Sequence, residues 1–238
     1  MLKKLDINCD LGEGLINDEA LMPYLDSCNI ACGGHAGNQK SIVQTIRSAN
    51  NHQVKIGAHP SFPDKLNFGR KILEMKEKDL KDTLKVQLEQ FFEAAEKENT
   101  KVNHIKPHGA LYNLAAKDQV TASLILELVK DHFSGTMIYC PPNSTVEKLS
   151  YKYKIPVSRE VFADRTYQDD GSLTNRSLSN AVLTSPEAVL QHLNWIIEKN
   201  CIKSVSGKTI PVKADTLCVH GDNPSALSIL QAIKKSFT

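Results

Sequence analysis

The chain has 238 residues, of which 41% are hydrophobic and 24% charged, and its formal net charge at pH 7 is +2. This size and composition predict one globular domain over residues 1–238, and the small net charge argues against nucleic acid or an anionic membrane surface as a partner. No signal-peptide core and no run of about 18 apolar residues occurs, and the six cysteines form no C-x-x-C pair, so we expect a cytoplasmic protein with no membrane contact.

Apolar and alternating segments predict seven strands that alternate with helices. The strands are 2–8, 28–32, 54–58, 102–106, 137–140, 156–162 and 216–219. The helices are 18–25, 38–50, 77–98, 111–132 with a break near 117–118, 144–153, 185–199 and 225–235. Asp18 is expected to cap the first helix, and 202–212 are expected to form a small hairpin. Strands that alternate with helices through short loops favour a parallel β/α architecture.

Polar side chains follow most of these strands, before the next helix begins. They are Asn8, Asp10, Glu13, His35, His59, Lys106, His108, Asp164, Arg165, His220 and Asp222. Four of the eight histidines are in this group, whereas His104 is assigned to a strand start and the other three to helices. In a parallel barrel the carboxyl ends of the strands lie on one face, where enzymes of this architecture place their chemistry. The sequence therefore predicts an active site on that face.

One segment places a cation and an imidazole two positions apart. Lys106 and His108 flank Pro107, which ends the strand, and Gly109 allows a sharp turn afterwards. Side chains two apart on an extended segment point the same way, so both are expected to face the barrel mouth and to act in the chemistry. In the alternative interpretation, Lys106 pairs with a carboxylate and only satisfies the barrel interior.

The residue types allow acid–base chemistry, anion binding and metal binding. Asp10, His35 and His59 have the composition of an open zinc-type site, although no H-x-x-x-H spacing supports a metal. No G-x-S-x-G elbow indicates a serine nucleophile. Gly207-Lys208-Thr209 is similar to the end of a phosphate loop but lacks its first glycine, so the isolated chain is expected to bind ATP weakly or not at all.

Seven motifs in order along the chain carry a family resemblance. They are D-I-N-C-D-L-G-E (6–13), N-I-A-C-G-G-H-A-G (29–37), G-A-H-P (57–60), F-G-R (68–70), K-P-H-G-A-L-Y-N (106–113), F-A-D-R (162–165) and C-V-H-G-D-N-P (218–224). With them the chain resembles the LamB/YcsF family. The resemblance implies an irregular seven-stranded (β/α) barrel of the glycoside hydrolase and deacetylase type. It also implies ATP-dependent opening of 5-oxo-L-proline to L-glutamate, together with two other subunits of the B and C type.

The resemblance and the strand-end residues together suggest roles. The candidate catalytic residues are Asp10, Lys106, His108 and Asp222. The candidate substrate-binding residues are Asn8, Glu13, His35, His59, Asp164, Arg165 and His220. Arg165 or Lys106 would hold the substrate carboxylate, and Asp10, His108 or Asp222 would be the base. ATP would be handled with the partner subunits, and a divalent metal would use Asp10, His35 and His59.

Two departures from the family pattern concern the second strand-end loop. Many members have Phe where this chain has Gly34, so the pocket beside His35 is expected to be wider. Many have Asp where it has Asn38, which removes a carboxylate from that loop.

Two other functions compete with the lactam-opening interpretation. The first is a metal-dependent deacetylase acting on an N-acetylated carbohydrate. The second is a non-catalytic subunit that binds a metabolite within a larger complex.

Overall fold

The computed structural model describes residues 5–237, and seven of its strands form a closed parallel barrel. The strands are β1 (Asp6–Leu11), β2 (Ser27–Ala31), β3 (Lys55–His59), β4 (Val102–Ile105), β5 (Met137–Cys140), β6 (Val157–Phe162), β7 (Cys201–Lys203), β8 (Thr209–Pro211) and β9 (Thr216–His220). The barrel order is β1-β2-β3-β4-β5-β6-β9, while β7 and β8 form a separate antiparallel hairpin. The predicted β/α barrel of seven strands and the predicted hairpin are confirmed.

The first strand closes the barrel by pairing on both sides. Asp10 of β1 is in register with Asn29 of β2 and with His220 of β9. On its other side β9 pairs with β6, where Phe162 is opposite Cys218. Closure leaves the barrel sheet without a free edge. It also places the carboxyl ends of its seven strands around one opening.

In the described part of the chain, eight α-helices connect the strands and cover the barrel. They are α1 (Asp18–Leu21), α2 (Gln39–Asn51), α3 (Glu77–Lys97), α4 (Gly109–Ala115), α5 (Gln119–His132), α6 (Thr145–Tyr153), α7 (Pro186–Lys199) and α8 (Ala226–Phe237). The break near 117–118 is confirmed, because Asp118 caps α5 by accepting a hydrogen bond of 2.7 Å from the Thr121 amide. Among residues 5–237, none of these helices is both long and apolar enough to cross a membrane.

The expected cap at Asp18 is wrong. Asp18 is the first residue of α1, and its carboxylate accepts a hydrogen bond of 2.7 Å from the Gly12 amide instead of an amide of its own helix. It therefore ties the end of β1 to the helix. The first strand also continues to Leu11, beyond the predicted end at Asn8, and its predicted start at Leu2 lies outside the described residues.

The lower part of the barrel interior is polar. Asn29 donates to Asn8 at 2.7 Å and to Asp10 at 2.8 Å, and its side-chain oxygen lies 2.6 Å from His104 Nε2. The His104 ring fits there because Gly57 on the neighbouring strand has no side chain, and a Cβ at Gly57 would lie 2.1 Å from His104 Nε2. His104 is thus an interior residue of β4, where the sequence interpretation assigned only a strand start.

Candidate active site

A cavity of about 260 Å³ opens at the carboxyl ends of the barrel strands. Of the strand-end residues singled out in the sequence, its lining includes Asp10, Glu13, His59, Lys106, His108, Arg165, His220 and Asp222. A cavity of this size suits a small metabolite rather than a drug-sized ligand or a polymer. The predicted gathering of these residues at one face is therefore confirmed, while their individual roles stay predictions.

Three of the predicted substrate-binding residues do not line this cavity. Asn8 lies below it, where it donates to Thr216 Oγ1 at 2.7 Å. His35 is behind the lining, with its Nε2 3.1 Å from Glu13 Oε1. Asp164 is fully buried and accepts hydrogen bonds from His220 Nδ1 at 2.8 Å and Asn223 Nδ2 at 2.9 Å. All three contact other protein side chains behind the cavity lining, and their role in substrate binding stays a prediction.

Lys106 is buried at the cavity, and three anionic or polarisable side chains surround its ammonium. Its ammonium donates to Asp10 Oδ1 at 2.8 Å and to Cys218 Sγ at 3.2 Å, and it lies 3.0 Å from Glu160 Oε1. Burial alone would lower the pKa of Lys106, but Asp10, Cys218 and Glu160 outweigh it and hold this pKa well above its ordinary value. The side chain is thus a fixed positive charge at the cavity floor.

Asp10 is the complementary half of this pair. Burial opposes ionisation of its carboxyl, but Lys106 and His59 hold the pKa of Asp10 well below its ordinary value. An acid this strong is a poor proton acceptor near neutral pH. Asp10 is therefore better suited to orienting Lys106 than to the predicted role of general base.

Glu160 was missed because it lies within a strand instead of after one. It is 1% exposed, and its contact with Lys106 has an ion-pair distance without hydrogen-bond geometry. The available signal was a carboxylate two positions before Phe162 within the predicted strand 156–162, which places both side chains on the same face.

Two histidines of the site face each other through ring nitrogens. His59 Nε2 lies 2.9 Å from His108 Nδ1. The other nitrogen of each ring contacts a backbone carbonyl, since His59 Nδ1 lies 2.7 Å from the Lys106 oxygen and His108 Nε2 lies 2.9 Å from the Phe68 oxygen. A carbonyl oxygen only accepts, so both of these outer nitrogens carry the proton.

His35 completes the group from behind. Its ring stacks on His108 with the centroids 3.6 Å apart and the planes 2° from parallel. Burial, reinforced by His59, lowers the pKa of His35 to about 2. Burial followed by His35 and His59 also lowers the pKa of His108 well below its ordinary value. The stacked pair is thus neutral at physiological pH.

Glu13 is an acid in an unfavourable environment for its charge. Its side chain is 3% exposed, and burial, followed by the charges of Asp10 and Asp222, raises the pKa of Glu13 well above its ordinary value. Its Oε1 also lies 3.6 Å from His108 Nδ1. Carboxyls with raised pKa values in a cavity are common at functional sites.

Asp222 bridges two loops at the cavity rim. Arg176 Nη1 donates to its Oδ2 at 2.8 Å, and Arg70 donates to the same oxygen. Burial would raise the pKa of Asp222, but Arg176 and His220 outweigh it and lower this pKa. Asp222 is consequently a weak base, and two guanidinium groups share its single negative charge.

Arg165 lines the cavity, but its guanidinium donates to backbone carbonyl oxygens. Its guanidinium donates to the Ala181 oxygen at 3.1 Å and to the Thr174 oxygen at 2.5 Å. Burial, together with the charge of Arg176, lowers the pKa of Arg165 to about 10. The long loop before α7 is held in place by this residue.

The sequence interpretation missed the roles of Arg70 and Arg176 at the rim. Arg70 belongs to the F-G-R motif and Arg176 to a long polar loop, and neither was assigned to the site. Two arginines in loops that follow strands were the available signal.

The two departures at the second loop have local explanations. A Cβ at Gly34 would lie 2.4 Å from Gln87 Oε1 and 2.5 Å from Ser61 Oγ, so Gln87 fills this space and the cavity is not wider there. Asn38 caps α2 by accepting from the Lys40 amide at 2.9 Å and the Ser41 amide at 3.1 Å. Asn38 therefore has a structural role.

Possible metal ligands fall into two groups within the described part of the chain. One contains Glu13, His35, His59 and His108, and the other contains Asp10, Cys218 and His220. The predicted set of Asp10, His35 and His59 is divided between them. In the second group the Lys106 ammonium already contacts both Asp10 and Cys218.

Comparisons with known proteins agree with this architecture. A sequence model described as the LamB/YcsF family matches residues 5–238. The chain is 38% identical over 237 residues to the A subunit of 5-oxoprolinase from Halalkalibacterium halodurans, covering 98% of this chain and 92% of the relative. Its structure is similar to that of the lactam utilization protein from Thermus thermophilus, with a TM-score of 0.89, 30% identity, and coverage of 98% and 97%. A GH113 β-1,4-mannanase shares the fold alone, with a TM-score of 0.52, 13% identity and coverage of 99% of each chain.

Proposed function

Because the chain belongs to the LamB/YcsF family, we propose that it is the A-type subunit of a 5-oxoprolinase and that its cavity holds 5-oxo-L-proline while the lactam is opened to L-glutamate. One observation carries the proposal. The small cavity combines a fixed ammonium, a pair of imidazoles and a rim where two guanidinium groups share one carboxylate. Such a site suits a small anion with a polar bond to be cleaved.

We place the substrate carboxylate at the rim. Arg70 and Arg176 have one carboxylate between them, so a second anion would complete their charge balance. Lys106, considered for this role from the sequence, already has Asp10 and Glu160 as partners. Arg165, the other candidate, already donates to two backbone carbonyls.

The lactam carbonyl would then lie toward the cavity floor. Ring opening adds hydroxide to the carbonyl carbon and a proton to the ring nitrogen as the C–N bond breaks. The Lys106 ammonium would stabilise the negative charge that develops on the carbonyl oxygen. Asp10 and Asp222 are weak bases, because the charges around both acids lower their pKa values, so we assign the proton transfer to His108, the remaining candidate base.

ATP and two further subunits of the B and C type complete the proposal. An unstrained amide needs activation, and 207–209 lie in the turn and second strand of the β7–β8 hairpin instead of in a loop before a helix. We assign ATP handling to the partner subunits and lactam binding to this barrel. The name of the curated relative, which describes one component of a larger enzyme, supports such an assembly.

The decisive experiment measures glutamate release from 5-oxo-L-proline by the chain with and without ATP and its partner subunits. We expect release only in the complete mixture. Calorimetry of the isolated chain with 5-oxo-L-proline should detect binding, whereas ATP should give no heat of binding. Absence of glutamate in the complete mixture would contradict the proposal. Deacetylation of chitooligosaccharide by the chain alone would favour the deacetylase alternative.

A binding subunit without catalysis makes a different prediction. In that case 5-oxo-L-proline would still bind to the chain. Substitution of the candidate catalytic residues, such as Lys106 or His108, would then leave turnover of the assembly unchanged. Turnover by a complete assembly containing the His108→Gln variant therefore separates the two interpretations.

A further inference from the structure

The inner ring nitrogens of His59 and His108 face each other at the cavity. Each outer nitrogen donates its proton to a carbonyl oxygen, at 2.7 Å for His59 and 2.9 Å for His108. When both rings are neutral, the two nitrogens that meet at 2.9 Å present lone pairs to each other. A proton shared between them, or a metal ion bound to both, would satisfy this contact.

A third candidate ligand lies close to the same point. Glu13 Oε1 lies 3.6 Å from His108 Nδ1, and the ligating atoms of Glu13, His59 and His108 all lie within 4.8 Å of one another. A shared proton satisfies only two acceptors, whereas a metal ion satisfies three or four. Tetrahedral zinc with bonds of about 2.0–2.1 Å separates its ligand atoms by roughly 3.3–3.4 Å. The separations of 2.9 and 3.6 Å bracket this value.

We infer that Glu13 Oε1, His59 Nε2 and His108 Nδ1 form an open binding site for a divalent transition-metal ion of the zinc class. All three residues line the cavity, so ligand positions beyond these three would face the substrate space. Two imidazoles and one carboxylate are the ligand set of open catalytic zinc sites. A bound ion would polarise a carbonyl oxygen or lower the pKa of a bound water, and that water would then carry the proton in place of His108.

The surrounding contacts are those expected around metal ligands. Metal-binding histidines usually donate their second N–H to a carbonyl or carboxylate, as His59 and His108 do here. His35 contacts Glu13 Oε1 at 3.1 Å and holds this carboxylate toward the pair. We do not count His35 as a further ligand. Its ring is stacked parallel to that of His108, with the centroids 3.6 Å apart, so the two rings do not lie in one plane around a common ion. His35 is thus a positioning residue.

The rival group is less suited to a metal. Asp10 and Cys218 already contact the Lys106 ammonium at 2.8 and 3.2 Å, so a cation is in place there. His220 Nδ1 is 2.8 Å from Asp164, which orients its ring. A His220 variant therefore serves as a control within the same cavity.

The test titrates zinc into the chelator-treated, full-length chain by calorimetry. We expect one ion per chain with a Kd of about 1 µM or lower. The variants Glu13→Gln and His108→Gln should each weaken binding by roughly a hundredfold or more. His220→Gln, and His52→Gln at the exposed residue that follows α2, should bind zinc as the unchanged chain does. Loss in His220→Gln with retention in His108→Gln would overturn the proposal.

A second measurement needs no variant. Imidazole nitrogen resonances of the unchanged chain, followed by ¹⁵N NMR, should shift on zinc addition for His59 and His108 but not for His220. A folded chain that shows no shift and no heat at millimolar zinc would overturn the proposal. The inference does not rest on the lactam reaction, because zinc binding and glutamate release are measured separately and either one can fail alone.

Discussion

Lys106 and Asp10 meet 2.8 Å apart inside the barrel although 96 residues separate them in the chain. Burial opposes the charge of both side chains, and each charge is the first to offset this effect on the other. The pKa of Lys106 is therefore raised and the pKa of Asp10 is lowered. Glu160 adds a second carboxylate to the lysine at 3.0 Å. The expectation that Lys106 acts in the chemistry and the alternative that it satisfies the interior are therefore both compatible with its position.

Lys106→Met should lower both stability and turnover. The substitution leaves Asp10 and Glu160 buried without their cation, and breaking a buried pair typically costs about 3–5 kcal/mol. Loss of a preorganised charge should also reduce glutamate release by the assembly at least about tenfold. Urea unfolding and the coupled assay measure the two effects. The double variant Lys106→Met/Glu160→Gln should recover part of the stability, and a single variant as stable as the unchanged chain would contradict this account.

Arg176→Gln should weaken substrate binding without loss of stability. The side chain is 27% exposed and pairs with Asp222 at the rim, so its ion pair contributes at most about 1 kcal/mol. We expect KM for 5-oxo-L-proline to rise at least about tenfold. Arg159 is a matched control, because it is 28% exposed and pairs with Asp215 near the start of β6. Equal KM values for Arg176→Gln and Arg159→Gln would remove Arg176 from substrate binding.

His104 should make the fold sensitive to acid. Burial, followed by the charge of Lys106, holds the pKa of His104 well below its ordinary value of about 6.5. Below about pH 6.5 the unfolded chain therefore binds a proton that the folded chain does not, and stability falls as pH falls. Each such proton contributes up to about 1.4 kcal/mol per pH unit.

The variant His104→Gln tests this origin. Gln keeps a donor for Asn29 but does not titrate. Urea unfolding between pH 7 and pH 5 measures how the free energy of unfolding changes with pH. In the variant this dependence should be weaker, because up to one proton fewer is taken up on unfolding. An unchanged slope would assign the acid sensitivity to other groups.

Gly57→Ala should destabilise the barrel strongly. The new Cβ would lie 2.1–2.4 Å from three ring atoms of His104, and an overpacked core typically costs about 1–3 kcal/mol or more. The double variant Gly57→Ala/His104→Ala removes the clash, so the two substitutions should couple favourably in a double-mutant cycle of thermal unfolding. Additive losses would show that the ring is not what excludes a side chain at Gly57.

The barrel and much of its site follow from local sequence rules. Asp10, His59 and His108 were found because side chains that follow parallel strands converge whatever the rest of the fold does. Glu160 was not found, since the inward direction of a mid-strand residue depends on barrel register. Arg70 and Arg176 lie in long loops whose paths depend on tertiary contacts.

The proposed metal ligands could not be assigned from the sequence for a related reason. Which nitrogen of His59 or His108 is free depends on the backbone carbonyl that the other nitrogen meets. Those carbonyls belong to Lys106 and Phe68, and only the folded backbone brings them near. The sequence-based set of Asp10, His35 and His59 consequently differs from the proposed set of Glu13, His59 and His108.

The pairing of β1 with β9 has a consequence for synthesis on the ribosome. Residues 6–10 receive their second neighbouring strand only from 216–220, so the barrel stays open until nearly the whole chain has been translated. The nascent protein therefore exposes two unpaired strand edges throughout elongation, which favours aggregation. Folding must also bring together contacts far apart in sequence, and such topologies fold slowly. Cells producing this chain rapidly should consequently depend on chaperones that shield the growing sheet.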